Sequence, residues 1–387
     1  MRVAVLTNIA SPYRIPLFNA VAERIEGELY VICAAETEPW RLWQQQDQEY
    51  RFQLSVLPGL HWAWQQREWF PHLNWGLGGM LRRLQPAVLV IGGYEQPIYW
   101  RGLLYARRHR IPVVLWYESW RGSARARGGP IFAVKRFFVR RTTVGLALGT
   151  PAAAWLREIH GGDYPVVVGL NTVDMDFFRR EVFLARSDAE FQARRAQYPP
   201  LLLLYVGSFI PRKNVALLLK ALWELGAPDV GLLLVGTGPQ EAELRQLCRW
   251  YGLEGRVFFE GFRQQWELPY YYALADALVL PSVLEVWGLV VNEALASGLF
   301  VVASAAVGAA YDLIQPGWNG QVFEPTDLPG LVRILRWVRE HREELQERRS
   351  AVSEWACREF GIERAADRFV AALQMALQYR RTMAESN

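Results

Sequence analysis

Leu201-Leu202-Leu203-Leu204-Tyr205-Val206-Gly207-Ser208-Phe209-Ile210-Pro211-Arg212-Lys213-Asn214 is an apolar run that breaks at a glycine, passes a proline and two cations, and leads into helical periodicity from Val215 to Leu225. A short apolar run with no polar alternation reads as a strand buried on both faces, the habit of parallel sheets. The cations fall at a strand's carboxyl end and a helix's amino end. Free amides and the helix dipole favour an anion there, so the stretch predicts a phosphate site.

Outward from this stretch the strand and helix alternation continues. Further strands are predicted at Val230 to Val235, Arg256 to Phe259, Ala277 to Leu280, Phe300 to Ala303 and Gln321 to Phe323. The helices between and after them are Gln240 to Tyr251, Leu268 to Leu274, Leu289 to Ala296 and Leu328 to Glu347. An independent series precedes it, with strands at Arg2 to Leu6, Leu29 to Ala34, Ala87 to Ile91, Pro112 to Trp116, Val144 to Leu148 and Pro165 to Gly169. Its helices are Ile15 to Ile25, Gly76 to Leu84, Ile98 to Arg108, Ile131 to Arg141 and Pro151 to Ile159. The expected fold class is α/β, two tandem Rossmann-like doubly wound domains facing a cleft. The first spans residues 1–180 and is joined by a closing helix at 361–382, residues 181–200 form a polar linker, and the second spans 201–360. A chain of 387 residues exceeds the usual size of one core, in keeping with two domains.

Composition narrows the function classes. With 51% hydrophobic and 21% charged residues the chain is globular rather than disordered. Cys33, Cys248 and Cys357 stand far apart, which leaves neither a disulfide framework nor a zinc ribbon. The five histidines, at 61, 72, 109, 160 and 341, show no metal-ligand spacing. Val3 to Leu6 is shorter than a signal peptide's apolar region, and no apolar stretch reaches spanning length, so a cytoplasmic protein is expected. Residues 1–180 carry 22 basic and 14 acidic side chains, and the remainder carries 21 and 25, so the halves differ in sign. Only Lys135, Lys213 and Lys220 are lysines.

The second chemical stretch runs from Pro281 to Gly298. Glu285 falls in the loop after a strand and Glu293 on the following helix, inside an otherwise apolar segment where a charge requires a reason. Carboxylates pair with sugar hydroxyls, and the amides of Val286, Trp287, Gly288 and Leu289 can meet phosphate oxygens.

With its two glutamates seven residues apart, this segment resembles the signature of family 4 of the retaining glycosyltransferases, which have the GT-B fold. The stretch Gly207 to Asn214 is similar to the same family's phosphate loop. Leu232 to Pro239, Phe258 to Phe262, Gly308 with Asp312 to Ile314, Gly317 to Gly320, and Asn171 to Asp174 continue the likeness in order. The resemblance implies a glycosyltransferase that moves a sugar from a nucleotide-diphosphate sugar to a glycan or lipid-linked acceptor with retention, in polysaccharide or glycolipid biosynthesis. It implies catalytic roles for Arg212, Lys213 and Glu285, and donor binding through Gly207, Ser208, Gly236, Phe262, Val286, Trp287, Gly288, Leu289 and Glu293. No cofactor and no metal are expected. Asp174-Met175-Asp176 mimics a metal motif but falls at the linker entry. The nearest alternative is another enzyme of the same fold, such as a sugar-phosphate synthase. A nucleic-acid-binding protein would leave both glutamates unexplained, and no nucleic-acid partner is expected.

The first half departs from the family pattern. Asn8 to Pro16 replaces its glycine loop and offers Ser11, Tyr13 and Arg14 on the acceptor side, while Glu118 stands where many members have a histidine and is thereby a catalytic candidate, a polar group at the acceptor. Trp62, Trp64, Trp69, Phe70 and Trp75 offer aromatic platforms for sugar or lipid. Arg121 to Arg141 holds seven basic residues and no acid among bulky apolar ones, which suits a peripheral helix on an anionic membrane, with Lys135, Arg136, Arg140 and Arg141 as its charges.

Overall fold

The computed structural model describes residues 1–38, 49–62 and 70–385. The chain divides into two units, the first made of Met1–Asn171 and Ile362–Asn387 and the second of Thr172–Gly361.

The first unit follows the order β1 (Arg2–Thr7), α1 (Ile15–Arg24), β2 (Glu28–Cys33), β3 (Gln53–Val56), β4 (Gly59–His61), β5 (His72–Asn74), α2 (Leu77–Leu84), β6 (Val88–Ile91), α3 (Pro97–Arg108), β7 (Val113–Tyr117), α4 (Gly129–Val139), β8 (Val144–Leu148), α5 (Thr150–His160) and β9 (Val166–Gly169). Its sheet has the order β3-β2-β1-β6-β7-β8-β9, every pairing parallel. β4 and β5 form a separate antiparallel pair. The second unit runs α6 (Met175–Ser187), α7 (Ala189–Arg195), β10 (Leu201–Val206), α8 (Val215–Leu225), β11 (Val230–Val235), α9 (Glu241–Trp250), β12 (Val257–Gly261), α10 (Leu268–Leu274), β13 (Ala277–Leu280), α11 (Leu289–Ala296), β14 (Phe300–Ser304), α12 (Ala310–Leu313), β15 (Gly320–Phe323), α13 (Leu328–Glu340), α14 (Arg342–Glu347) and α15 (Arg349–Phe360). Its sheet is also parallel, in the order β12-β11-β10-β13-β14-β15. In both sheets the order reverses beside the first strand, at β1/β6 and at β10/β13, where the crossovers diverge and ligands are commonly held.

Both units form for the reason given by their apolar runs: β6, β7, β8, β10, β11, β13 and β14 are buried along their whole length. The last helix, α16 (Ile362–Glu385), belongs to the first unit. Its Ala365, Ala366, Phe369, Ala372, Leu373 and Ala376 lie in the core shared with α1 and the sheet, and Phe369 meets Trp116 edge-on at 5.6 Å. Arg24 of α1 pairs with Glu363 and, at 2.9 Å, with Asp367. No described helix is long and apolar enough to cross a membrane.

The boundaries placed at 180 and 200 are corrected. Residues 172–200 pack with the second unit as α6 and α7, each opened by an aspartate: Asp174 accepts from the Phe177 amide and Asp188 from the Phe191 amide, at 2.9 and 2.8 Å. Asp174 is thus a helix cap. The helix expected over Leu328 to Glu347 is broken at His341, whose ring stacks on Trp337 at 4.3 Å.

One carboxylate organises the amino-terminal end of the second sheet. Asp276, just before β13, is 7% exposed. It receives Arg195 at 2.8 Å, Arg349 at 2.7 Å, Gln346 at 2.9 Å and the Leu202 amide at 2.9 Å. Burial opposes its charge, yet Arg349 and Arg195 outweigh that penalty and hold the carboxyl below its ordinary range. A carboxylate held low contributes stability above its unfolded pKa and loses it as pH falls through the folded value. Asp276→Asn leaves these guanidinium groups without their counter-charge and is expected to cost about 3–5 kcal/mol, read as a fall in the urea midpoint at pH 7 with no change in slope. A midpoint within error of the parent would remove Asp276 from this role.

Candidate functional site

The carboxyl ends of β10, β11 and β12 are laced by backbone. Gly207 donates to Val235 and Gly236 to Gly261, at 3.0 and 2.8 Å, while Phe209 and Thr237 join at 2.9 Å. Gly236 has φ +145°, and a Cβ there would be driven into the Gly207 carbonyl oxygen. Only glycine lets these loops approach so closely. Buried Phe209 anchors the loop, the Tyr205 hydroxyl donates to the Ser208 carbonyl at 3.0 Å, and the Ser208 side chain is exposed. Pro211–Lys213 forms one tight turn, and Asn214 in the left-handed region (φ 55°) turns the chain into α8.

Across the β10/β13 reversal, the loop after β13 approaches this turn. The Val283 amide donates to the Arg212 carbonyl at 2.8 Å. Glu285 is held by its backbone, donating to Ala306 at 3.0 Å and accepting from Gly308 at 3.3 Å. Its carboxylate pairs with Lys213 and lies 3.6 Å from the Arg212 guanidinium. One acid therefore faces two cations. Gly288 then adopts φ 98° and α11 begins at Leu289, so the amides from Val286 to Leu289 lie at a helix amino end, where backbone donors lack intrahelical partners. Trp287 is buried, its indole N–H donating to Asn292 at 2.9 Å, so that residue can offer a ligand only its backbone.

Glu293 sits on α11 at 1% exposure, its Oε2 accepting from the Tyr272 hydroxyl of α10 at 2.6 Å. Tyr272 was missed by the sequence reading, and the only signal was the run Tyr270-Tyr271-Tyr272. Phe262 is exposed just after β12. Beside it, Glu260 pairs with Arg263 at 3.6 Å and accepts from Tyr271 at 3.3 Å.

The residues expected on the acceptor side lie in the first unit. Arg14 pairs with Glu118, donates to Thr7 at 3.1 Å and stacks over Trp116 at 4.6 Å. This joins the loop after β1, which holds half-buried Ser11 and Tyr13, to the end of β7. The Tyr99 hydroxyl of α3 donates to Asn8, in the loop after β1, at 2.7 Å. Of the aromatic group, Trp62 and Trp75 are half exposed and Phe70 is buried, while Trp64 and Trp69 lie outside the described residues. On α4 the expected charged face is corrected: Lys135 is 2% exposed and points inward, while Ile131, Val134 and Phe137 face outward. Arg141 lies over the Phe137 ring at 3.2 Å, and Arg140 donates to the His160 carbonyl at 2.8 Å. Three- and four-residue helical spacing places Lys135 with Phe138 and Val139 on the core side.

The glycine contact supplies a test. Gly236→Ala should separate the loops after β10 and β11, lowering the thermal midpoint and abolishing any nucleotide-dependent stabilisation. Retention of both would show that this close approach does not shape the site.

Comparison with known proteins agrees with this arrangement. Residues 187–355 match the family model described as glycosyl transferases group 1. The chain is 35% identical over 211 residues to the D-inositol 3-phosphate glycosyltransferase of Thermomonospora curvata, covering 50% of this chain and 48% of that protein. It is 37% identical over 145 residues to the sulfoquinovosyl transferase of Arabidopsis thaliana, covering 37% and 27%. The chain spans less than half the length of these curated relatives. Among solved structures, Anabaena HepE in complex with UDP superposes with a TM-score of 0.71 at 18% identity over 100% of both chains. Sucrose-phosphate synthase from Thermosynechococcus elongatus superposes with a TM-score of 0.72 at 20% identity, again over 100% of both. The two Rossmann-like parallel sheets are thus those of the GT-B fold, and residues 187–355, which hold every residue expected to bind the donor, are the part similar to group 1 glycosyl transferases.

Proposed function

We propose that the protein is a retaining glycosyltransferase of family 4 that moves a sugar from a nucleoside-diphosphate sugar to a glycan or lipid-linked acceptor in polysaccharide or glycolipid assembly. The observation that carries this reading is the sharing of Glu285 by Lys213 and Arg212 at the β10/β13 reversal. Departure of a nucleoside diphosphate concentrates negative charge on its terminal phosphate. The two cations and the amides at the start of α11 are fixed beforehand to receive it, so little reorganisation accompanies bond breaking. Glu285 gives its second function to a hydroxyl of the transferred sugar, and Glu293, oriented by Tyr272, receives the ribose hydroxyls. Complexes of HepE with UDP and with UDP-glucose, in the same fold, support this class of donor. Two cations beside one another support neutralisation of the diphosphate by the protein itself, and we propose metal-independent turnover.

Lys213→Ala should lower turnover by on the order of 100-fold at saturating donor, with folding intact, and the parent enzyme should keep its rate in EDTA. An unchanged turnover number in the variant would remove Lys213 from the mechanism, and loss of activity in chelator would overturn the metal-independent reading.

A lipid-linked acceptor is supported by the outward face of α4. Ile131, Val134 and Phe137 lie in one exposed row, with Leu104 of α3 also exposed and Trp100 stacked on Phe137 at 6.2 Å. Arg140 and Arg141 follow at the helix end. This row is proposed to rest on an anionic membrane surface, where each cation contributes about 1 kcal/mol, screened beyond ~8 Å at physiological salt. Co-sedimentation with phosphatidylglycerol vesicles should fall sharply when Ile131, Val134 and Phe137 become Ser, and also as salt rises. Equal pelleting of parent and variant would exclude this face as a membrane contact.

A further inference from the structure

Arg186, near the end of α6, turns its guanidinium inward to the carbonyls of two other helices. Its Nε donates to Ala273 at 3.2 Å and its Nη2 to Tyr272 at 3.3 Å, both in the last turn of α10, while its Nη1 donates at 3.1 Å to Ser297, the residue that caps the end of α11. Carbonyls at a helix end lack intrahelical donors, and a cation there also meets the negative end of the helix dipole. One planar fork therefore fixes the ends of α10 and α11 relative to each other. An apolar side chain could pack between these helices, but it could not bond to both.

Two of the residues it grips hold Glu293. The Tyr272 hydroxyl donates to Glu293 Oε2 at 2.6 Å, the short length of an O–H bond to a carboxylate, and both residues are buried. The Ser297 hydroxyl donates to the Glu293 carbonyl at 2.7 Å, and the Ser297 amide to the same carbonyl at 3.0 Å. Phe178, also of α6, meets the Tyr272 ring edge-on at 5.7 Å and braces it from the same helix as Arg186. Arg186 thus acts on the carboxylate of Glu293 through one neighbour and on its backbone through the other.

We propose that Arg186 and Tyr272 are positioning residues of the donor site, which fix the Glu293 carboxylate at one angle and so set a preference for ribonucleoside over 2′-deoxyribonucleoside diphosphates. This rests on the reading of Glu293 as the group that receives the ribose hydroxyls. A carboxylate held in place is left short of a hydrogen bond when the 2′-hydroxyl is missing, whereas one free to turn recovers by pairing with the hydroxyl that remains. On the same reading the diphosphate is received by Arg212, Lys213 and the amides that open α11, so its affinity should not follow that of the ribose.

Calorimetric titration of the full chain decides it. Of UDP, ADP and GDP, the one that binds the parent most tightly is compared with its own 2′-deoxy form and with inorganic pyrophosphate. The parent is expected to bind the ribonucleotide at least ~10-fold more tightly than the deoxy form. Tyr272→Phe keeps the ring against Phe178 and removes only the hydroxyl, and it should bring the two affinities within about 3-fold of each other by weakening the ribonucleotide. Arg186→Lys keeps the charge but not the fork and should act in the same direction. Pyrophosphate affinity should stay unchanged in both variants. Full discrimination retained by Tyr272→Phe would overturn the inference, full discrimination in Arg186→Lys would remove Arg186 from it, and equal losses of nucleotide and pyrophosphate would replace positioning by a general disturbance of the fold. A parent that binds nucleotide without preferring ribose defeats the assignment of Glu293, and one that binds none of the three nucleotides defeats the donor-site reading itself.

Discussion

The pairing of β10 with β13 is only two residues deep, Leu203 with Ala277 and Leu204 with Leu278, yet the candidate site residues on the loops after them depend on how those strands are held. The clamp is electrostatic at both ends of β13. At the amino end Asp276 gathers Arg195, Arg349 and Gln346 onto the sheet, so that α7, α14 and α15 share one buried charge. At the carboxyl end Glu285 meets Lys213 and Arg212 from the neighbouring loop. The two ends differ in how the charge is enclosed. Asp276 is saturated by donors and shielded from water, which makes it a fixed part of the fold. Glu285 is shared by two cations of a neighbouring loop and lies in a loop itself.

The first unit uses the same topology with different chemistry. Its reversal at β1/β6 carries no pair of adjacent cations. Arg14 reaches across from the β1 loop to Glu118, and Tyr99 binds Asn8, so the rim is built of neutral or compensated groups. Lys135 is the exception, a charge beneath the rim whose cost the surrounding rings only partly offset.

Much of this was legible in the sequence because both sheets are parallel and covered on their two faces. Strands such as Leu201–Val206 and Ala277–Leu280 then appear as plain apolar runs, and their helices as amphipathic stretches. Short β4 and β5 were not legible, since three residues set no period. The segment that forms α6 and α7 reads as a connector with some helix, and its membership of the second unit was hidden by arginines, several of which turn inward to carbonyls and to Asp276, as Arg186 does to Tyr272, Ala273 and Ser297. Composition alone cannot separate such a buried arginine from a solvated one. The same limit explains Lys135. Arg121 to Arg141 reads as a uniformly basic surface, and only the packing of α4 shows which charge turns inward. The glutamates, by contrast, stood out because an apolar segment gives a carboxylate no reason to be there except a partner.

The place of α16 bears on how the chain is made. Because Ile362–Glu385 completes the first unit while Thr172–Gly361 forms the second, the second unit is an insertion within the first. On a ribosome that builds from the amino terminus, the second unit is fully synthesised before the helix that covers α1, Trp116 and β9 emerges. The first unit must therefore wait with part of its apolar face exposed. Its assembly is a late event, in which Phe369 and the alanine row of α16 seal a core whose other members were translated more than 150 residues earlier.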